Sequence, residues 1–367
     1  MAEPLKNLYS KVYVDSLLDS LSQVDPSIDK KGFKKTVFNT DWEQYELKQR
    51  MRRLAVVLNQ YLFNDYKKDI DLIVRWVHLL KAQSKTGQSF EYLFLAEYVD
   101  MFGQQDVDVS LKAIEEITQF TSCEFAIRSF IINEPKKVMA YMLRWSKHKH
   151  VNVRRFSSEG CRPRLPWGTA IKAFKKDPSM VLPILENLKN DSELYVRKSV
   201  ANNLNDIAKD NPQLVIELIQ KWKGTSAHTD WILKHGSRTL LKKANAEVLA
   251  LFDLNTTLTC NVVEFSLVKT KIKLGDTLQF SFTLNPILKK STKLRIEFAV
   301  YYVKSTGKSS RKLFKITENT FEKGQQVSYT KNLSFKDLTT RKHYAGNHKI
   351  SLVVNGNELA ELDFMLL

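Results

Sequence analysis

Hydrophobic residues recur along this chain with one spacing up to about residue 253 and with another spacing after it. In the first part, apolar side chains are separated by three or four positions, which is the period of an amphipathic helix. After Leu254, apolar and polar residues alternate, as they do in half-buried strands. The pattern therefore predicts an all-α domain at 1–253 followed by a β domain at 254–367.

Four amphipathic helices are predicted in the first third of the chain. The longest is Asp41–Leu62, whose acidic first residue suits the N-terminal end of a helix. Three further segments share its apolar spacing: Leu5–Leu21, Asp69–Lys81 and Ser89–Tyr98. We expect the aromatic residues of these segments, such as Trp42, Trp76 and Phe94, to pack in the core.

A sequence repeat begins near residue 118. Three segments place an acidic or amide residue directly before a proline, which is favoured at the first position of a helix: Glu134–Val138, Asp177–Val181 and Asn211–Val215. Three triplets then follow in the same order, and they begin at Val153, Val196 and, more loosely, Ile232. Each unit of about 35 to 45 residues is predicted to be a pair of antiparallel helices, so that the units stack as a HEAT-like solenoid.

The middle repeat contains an insertion. Its proline, Pro178, follows the preceding repeat proline by 43 residues, whereas 34 residues separate it from the next one. The nine extra residues lie after the triplet at Val153, in a stretch that contains Pro163 and Pro166. Because proline cannot continue a helix, we expect this segment to be a rigid loop that presents Trp167 on the repeat surface.

The last third of the chain is predicted to form an antiparallel β-sandwich. Seven strands are predicted: Thr257–Val268, Asp276–Leu284, Lys293–Lys304, Arg311–Thr317, Gln326–Ser334, His348–Asn355 and Glu358–Phe364. Seven short strands in about 110 residues are typical of an immunoglobulin-like domain. No catalytic motif is recognisable in this domain, which predicts a binding module.

The net charge of +17 is distributed unevenly. Residues 1–111 have 15 basic and 16 acidic side chains, residues 112–243 have 24 and 13, and residues 254–367 have 18 and 9. Two basic regions after a nearly neutral one are typical of a protein that binds a polyanion such as nucleic acid. Lysines that only keep the protein soluble would be the alternative.

Other sequence features exclude several classes of protein. The three cysteines, Cys123, Cys161 and Cys260, are scattered and odd in number, which predicts a reducing cytosol rather than a disulfide framework. Neither a metal-binding motif nor an apolar run of membrane-spanning length occurs in the sequence. We therefore expect a cytoplasmic protein with no metal, no cofactor and no membrane partner.

Three carboxylates are predicted to lie close together on the basic repeat surface. The repeat register places Glu159 opposite Asn202, with Asp206 one helical turn later, and Glu124 on the preceding unit. Each could be an ordinary solvated or ion-paired side chain. However, carboxylates oppose phosphate binding, and their grouping would be explained if they stabilised a cationic sugar during glycosidic bond cleavage.

The cations and the tryptophan of this region also allow two interpretations. Trp167 is either a buried anchor or an exposed ring that contacts a cationic base. Seven cations are predicted to contact DNA, chiefly its phosphates: Arg128, Arg155, Arg162, Arg164, Lys198, Lys234 and Arg238.

Four segments together resemble bacterial AlkC-type DNA alkylation-repair glycosylases, which are relatives of AlkD among the HEAT-like repeat glycosylases. The segments are Ser122–Arg128, Arg154–Gly168, Val196–Asp206 and His228–Gly236. The stretch SEGCRPRLPW within the second segment is long and specific, and the resemblance extends over the whole chain, including the C-terminal immunoglobulin-like domain.

The resemblance implies a monofunctional glycosylase that excises cationic alkylated bases, 3-methyladenine and also 3-methylcytosine, from duplex DNA without base flipping. By the matching motifs, Glu124, Glu159, Trp167 and Asp206 correspond to active-site positions. A neutral base would leave, so little protonation by the enzyme would be needed. We expect a monomer whose partner is double-stranded DNA with alkylated bases. The alternative is a non-catalytic HEAT-like scaffold that binds nucleic acid or an acidic protein.

Overall fold

The structure is a computed structural model that describes residues 4–83, 89–338 and 341–367. Its helices occupy the region that the apolar spacing predicts. In chain order they are α1 (Lys11–Leu21), α2 (Lys30–Val37), α3 (Leu47–Tyr61), α4 (Tyr66–Gln83), α5 (Leu93–Phe102), α6 (Val107–Ile117), α7 (Ile127–Asn133), α8 (Pro135–Trp145), α9 (Val151–Glu159), α10 (Lys172–Lys176), α11 (Leu182–Leu188), α12 (Leu194–Asp210), α13 (Pro212–Trp222), α14 (Ala227–Gly236), α15 (Arg238–Lys242) and α16 (Ala246–Leu251).

Two of the predicted helices in the first third begin later than expected because a better cap lies inside them. The segment Leu5–Leu21 starts as a 3-10 turn, and α1 begins only after Ser10, whose hydroxyl accepts from the backbone N–H of Tyr13 at 3.2 Å. Similarly, α3 begins after Glu46, which forms a capping box with Gln49. Side-chain caps thus decide where these helices start.

The prolines expected at the first position of the repeat helices mark the start of two helices but not of the third. α8 begins at Pro135 and α13 at Pro212, as expected. After Pro178, however, α11 begins only at Leu182. The carboxylate of Asp177 accepts from the backbone N–H of Ser179 at 2.9 Å, and this local turn replaces the first helical turn.

The second helices of the repeats lie side by side, in the order α9, α12 and α14. Val153, Val196 and Ile232, which begin the three triplets, are all fully buried at equivalent positions of these helices. α3, α5 and α7 continue the same layer, while α4, α6, α8 and α11 form the other layer. The layer that contains α9 and α12 is the one that positions the candidate site.

The C-terminal strands form two sheets, one of three strands and one of five. They are β1 (Cys260–Leu267), β2 (Lys271–Ile272), β3 (Thr277–Pro286), β4 (Thr292–Val303), β5 (Ser309–Phe321), β6 (Val327–Ser334), β7 (Gly346–Val354) and β8 (Asn357–Leu366). All seven predicted strands are present. The short β2 was not predicted, since two residues give no periodicity, and it pairs in parallel with β8.

The two sheets enclose one apolar core. The smaller sheet has the order β1-β3-β6 and the larger the order β2-β8-β7-β4-β5, and apart from the β2–β8 pair all neighbours are antiparallel. Phe280 and Phe282 of β3 pack with Phe298 of β4 and Ile350 of β7 in this core. The alternation seen in the sequence is therefore the alternation between this core and solvent.

The chain forms two compact units. One contains the described residues up to Val215 together with Trp222–Gly236, and the other contains Ile216–Lys221 and Ser237–Leu367. The division falls before the predicted boundary at 253/254, because α15 and α16 pack with the strands: a Cβ added to Gly356 would lie 3.0 Å from the Leu249 side chain. In the part of the chain that the structure describes, no helix has the length and apolarity needed to cross a membrane.

Candidate active site

The three candidate carboxylates come from three successive elements of one helical layer. Glu124 lies in the turn before α7, Glu159 is the last residue of α9, and Asp206 lies on α12. Their side chains are 16%, 7% and 2% exposed, respectively. The repeat register thus brings together carboxylates that are 82 residues apart at most, and it leaves Asp206 the most deeply buried.

Two arginines alternate with the carboxylates and connect them into a continuous charge ladder, by which we mean Glu124, Arg155, Glu159, Arg162 and Asp206. Arg155 donates to Glu124, and its Nη2 lies 3.6 Å from Oε1 of Glu159. Arg162 donates from Nη1 to the same Oε1 at 2.6 Å and from Nε to Oδ2 of Asp206 at 2.8 Å. Each arginine therefore joins two carboxylates.

The two arginines of the ladder stay charged despite burial. Burial by itself lowers the pKa of Arg155, but the neighbouring carboxylates Glu124 and Glu159 outweigh it and raise that pKa above its ordinary value. Glu159 and Asp206 act in the same way on the pKa of Arg162. Both guanidinium groups are thus fixed as cations that donate to carboxylates.

These contacts change the role that the sequence predicts for Arg155 and Arg162. Both were expected to bind phosphates. In the structure the Arg162 side chain is 7% exposed and the Arg155 side chain 12%, and both are engaged with carboxylates. A phosphate could reach them only by displacing those partners, so they belong to the carboxylate site instead.

Arg128 is likewise an internal residue rather than an exposed cation. It is 1% exposed, it donates from Nη1 to the backbone carbonyl of Gly160 at 3.0 Å, and it also donates to that of Thr169. Burial lowers its pKa to about 10, which still leaves it charged at neutral pH. Because Gly160 and Thr169 lie at the two ends of the inserted loop, Arg128 fastens the loop to α7. The phosphate contact predicted for Arg128 is therefore not available.

The inserted loop presents Trp167 to solvent, as one of the two interpretations expected. Its indole is 68% exposed, and its backbone has a φ of +64°, in the left-handed region that disfavours residues other than glycine. Lys48 of α3 donates to the backbone carbonyl of Trp167. The same ammonium lies 4.9 Å from the ring centroid of Phe125. The unusual backbone is thus held by Lys48 of α3, and the Phe125 ring in turn contacts the Lys48 ammonium.

A cleft of about 380 Å³ lies between α3, α9, α12 and the inserted loop. Glu124, Glu159 and Trp167 line it, together with Arg155 and Arg162. Asp206 is not part of the lining and reaches the cleft only through Arg162. The structure thus brings two predicted carboxylates and the tryptophan to one surface, with the third carboxylate behind it.

The cleft also contains residues that the sequence analysis missed. Tyr195 lies with its ring 5.0 Å from the Arg155 guanidinium, and it could have been found, since it directly precedes the repeat residue Val196. Leu47, Lys48 and Met51 come from α3. No sequence signal connects α3 to a loop more than one hundred residues later.

Four predicted DNA-contacting cations lie outside the charge ladder. Arg164 forms two hydrogen bonds to Asp210, at 2.8 and 2.6 Å, at the outer edge of the inserted loop. Lys198 is exposed on α12 and Arg238 is half-buried, whereas the ammonium nitrogen of Lys234 is buried and would have to move to reach DNA. Their contact with DNA stays a prediction. Over residues 4–83, 89–338 and 341–367, no three His, Cys, Asp or Glu side chains are grouped as a metal ion would require.

Comparison with protein families supports the two-domain interpretation. Residues 62–244 match a family described as DNA alkylation repair enzyme, and residues 261–367 match one described as the C-terminal Ig-like domain of the uncharacterised protein YhaZ. The predicted fold class, a helical-repeat domain followed by an immunoglobulin-like domain, is thereby confirmed.

Two individual proteins are similar over the full length. The uncharacterized protein YhaZ of Bacillus subtilis (strain 168) is 41% identical over 362 residues, which cover 99% of both chains. A solved structure of the Pseudomonas fluorescens alkylpurine DNA glycosylase AlkC, bound to DNA containing an abasic site analog, is 35% identical and superposes with a TM-score of 0.93, covering 100% of both chains. The chain therefore belongs to the family of DNA alkylation repair enzymes, in its AlkC type, as the sequence motifs indicated.

Proposed function

We propose that this protein is a monofunctional DNA glycosylase that hydrolyses the N-glycosidic bond of cationic alkylated bases in duplex DNA. Its substrates are 3-methyladenine and 3-methylcytosine. The observation that supports this most is the cleft in which Glu124, Glu159 and Trp167 meet on a basic repeat domain. The full-length similarity to an alkylpurine DNA glycosylase supports the same reaction class.

The charges of the cleft suit a reaction in which positive charge moves from the base to the sugar. A cationic alkylated base leaves as a neutral molecule, so the enzyme has little need of a general acid. The sugar becomes oxocarbenium-like, and carboxylates beside it lower the energy of that transition state. Glu124 and Glu159 perform this role, and one of them orients the attacking water.

Arginine engages one oxygen of each cleft carboxylate. The contacts fall on Oε2 of Glu124 and on Oε1 of Glu159. In our proposal the second oxygen of each carboxylate faces the sugar or the water. The exposed indole of Trp167 then contacts the cationic base by a cation–π interaction.

We further propose that the base is excised without being flipped into a deep pocket. In this scheme, Arg164, Lys198 and Arg238 contact the DNA backbone, and the basic C-terminal domain adds a second contact. The protein acts as a monomer in the bacterial cytosol, on the nucleoid, and uses no cofactor. A fluorescent base analogue beside the lesion would show little increase in emission on binding if the base stays stacked.

The decisive experiment is to incubate the purified protein with methylated duplex DNA and to measure released bases and abasic sites. We expect 3-methyladenine and 3-methylcytosine in the supernatant and abasic sites in the DNA. Strand breaks should appear only after later alkali treatment. A non-catalytic scaffold would bind the same DNA and release neither product. That outcome would refute the glycosylase proposal.

A further inference from the structure

Arg162 occupies the central position between the two most buried carboxylates of the charge ladder. Its guanidinium donates from Nη1 to Glu159 at 2.6 Å and from Nε to Asp206 at 2.8 Å, and its Nη2 also lies 2.8 Å from Oδ2 of Asp206. The planar fork of arginine can bridge two acceptors in fixed directions, which the single ammonium of lysine cannot do. The orientation of both carboxylates is thus tied to one side chain.

The loop that contains Arg162 is fastened independently of this arginine. The side-chain N–H₂ of Asn203 donates to the carbonyl of Ser158 at 2.8 Å, and Arg128 donates to the carbonyls of Gly160 and Thr169. The backbone of Ile171 donates to the carbonyl of Pro163 at 3.2 Å. The position of the loop backbone therefore does not depend on the Arg162 guanidinium, whose contacts are made with carboxylates only.

We propose that Arg162 is a positioning residue of the glycosylase reaction, which keeps Glu159 directed into the cleft and couples it to Asp206 behind the cleft. The inference rests on the proposed function. This positioning role takes the place of the phosphate contact that the sequence predicts for Arg162. Asp206 then acts at a distance from the substrate.

Several charged groups surround this pair of carboxylates. Glu159 faces Arg155 from its own helix and Glu124 and Tyr195 from neighbouring elements, and Asp206 forms an ion pair with Lys209 at 2.9 Å. Cys161, Arg128 and Arg164 are further electrostatic neighbours. Without Arg162, Glu159 loses its closest ion pair and keeps the longer contact to Arg155, at 3.6 Å, whereas Asp206 keeps Lys209.

Loss of this cation favours protonation of the two carboxylates, because the proton replaces the missing positive charge. If catalysis requires ionised Glu159, the acidic limb of the pH–rate profile then moves to higher pH. Misdirection of the carboxylate also lowers the rate at the pH optimum, by about 100-fold for a displacement on the order of 1 Å.

The experiment compares single-turnover release of 3-methyladenine, at saturating enzyme and across a range of pH, for the wild type, Arg162→Gln and Arg162→Lys. We expect Arg162→Gln to be about 100-fold slower with its acidic limb at higher pH, and Arg162→Lys to restore much of the acidic limb because it keeps the charge. Arg154→Gln is the matched control: it removes an arginine of the same helical layer from its pair with Asp191, outside the cleft. We expect it to keep the wild-type pH profile.

A second measurement does not depend on activity. The loss of thermal stability in Arg162→Gln should be largest at neutral pH and should shrink on acidification, as the two carboxylates left without this arginine become neutral. A pH profile equal to that of the wild type, or a salt dependence of DNA binding that becomes shallower, would overturn the proposal in favour of a phosphate contact. If the wild type itself released no base, the proposed function would fail, and this role for Arg162 with it.

Discussion

Glu159 ends α9 at the point where the chain leaves the helix and enters the inserted loop. Its Oε1 is shared by Arg155 from one turn earlier in the helix and by Arg162 from three residues later. The short sequence between Arg155 and Arg162 therefore supplies one carboxylate and both of the cations that orient it. Compared with an isolated surface glutamate, Glu159 is restricted in direction.

Replacing Glu159 by glutamine should separate binding from catalysis. Glu159→Gln keeps the size of the side chain and one accepting oxygen but removes the negative charge that stabilises the sugar cation. We expect affinity for duplex DNA to remain close to that of the wild type, while 3-methyladenine release falls by a factor of roughly 100 to 1,000. Filter binding or fluorescence anisotropy measures the first quantity and single-turnover release the second.

The control for this substitution is Glu134→Gln, which changes an exposed glutamate at the start of α8. It alters the net charge equally, and its release rate should match that of the wild type. Unchanged base release in Glu159→Gln would remove Glu159 from the reaction. A large loss of DNA affinity would instead mean that the carboxylate organises the binding surface.

At the scale of elements, the inserted loop differs from the repeat helices in what determines its conformation. The helices follow from apolar spacing and caps, whereas the loop follows from individual polar contacts. Its Trp167 adopts a left-handed backbone that costs roughly 1 to 2 kcal/mol for a residue with a Cβ. The same side chain is largely exposed, so its burial offsets little of the free-energy cost of the backbone conformation.

We therefore expect Trp167→Gly to leave the free energy of unfolding within about 1 kcal/mol of the wild type, because glycine relieves the backbone strain. Replacement of a buried tryptophan by a small residue typically costs about 3 to 5 kcal/mol, and Trp145→Ala in α8 should show a loss of that size. Urea unfolding measures both. Base release should fall in Trp167→Gly, and Trp167→Phe, which keeps an aromatic face, should retain part of it. A loss of several kcal/mol in Trp167→Gly would contradict the idea of an exposed, strained residue.

The sequence allows the helical repeats and the seven longer strands to be predicted because their periodicity extends over many residues. It also places Glu124, Glu159 and Asp206 on neighbouring repeat helices. It does not reveal which cations face phosphate and which face carboxylate. Arg162 and Arg164 are two residues apart in a loop without periodicity, yet one is buried in the ladder and the other bonds Asp210 at the edge.

At the scale of the whole molecule, the positive charge is present in both compact units. The unit that includes Ser237–Leu367 contains three groups of exposed lysines in or beside the turns of its sheets: Lys269, Lys271 and Lys273; Lys289 and Lys290; Lys304 and Lys308. These groups are candidate contacts for a polyanion that binds this unit. The basic character of the C-terminal domain thus leads to a test by substitution.

We expect exchange of at least one of these lysine groups for glutamine to weaken binding of duplex DNA and to reduce its salt dependence, by about one unit of slope for each phosphate that is no longer neutralised. Substitution is preferable to deletion of the residues after 254, because α15 and α16 pack with the strands and would be left without them. Titrations at several salt concentrations provide the measurement. If all three groups can be exchanged without effect, the C-terminal domain does not contact DNA through these turns.

Dissolved salt acts differently on the exposed charges of this protein and on the buried, alternating charges of the charge ladder. Mobile ions screen exposed charges over about 8 Å at physiological ionic strength, but they hardly enter buried pairs such as Arg162 with Asp206. Raising the concentration of potassium chloride should therefore shorten the residence of the protein on DNA and leave the rate of base release from the bound complex nearly constant. Ionic conditions would then set how fast the genome is searched, without altering how fast a lesion is removed once it is found.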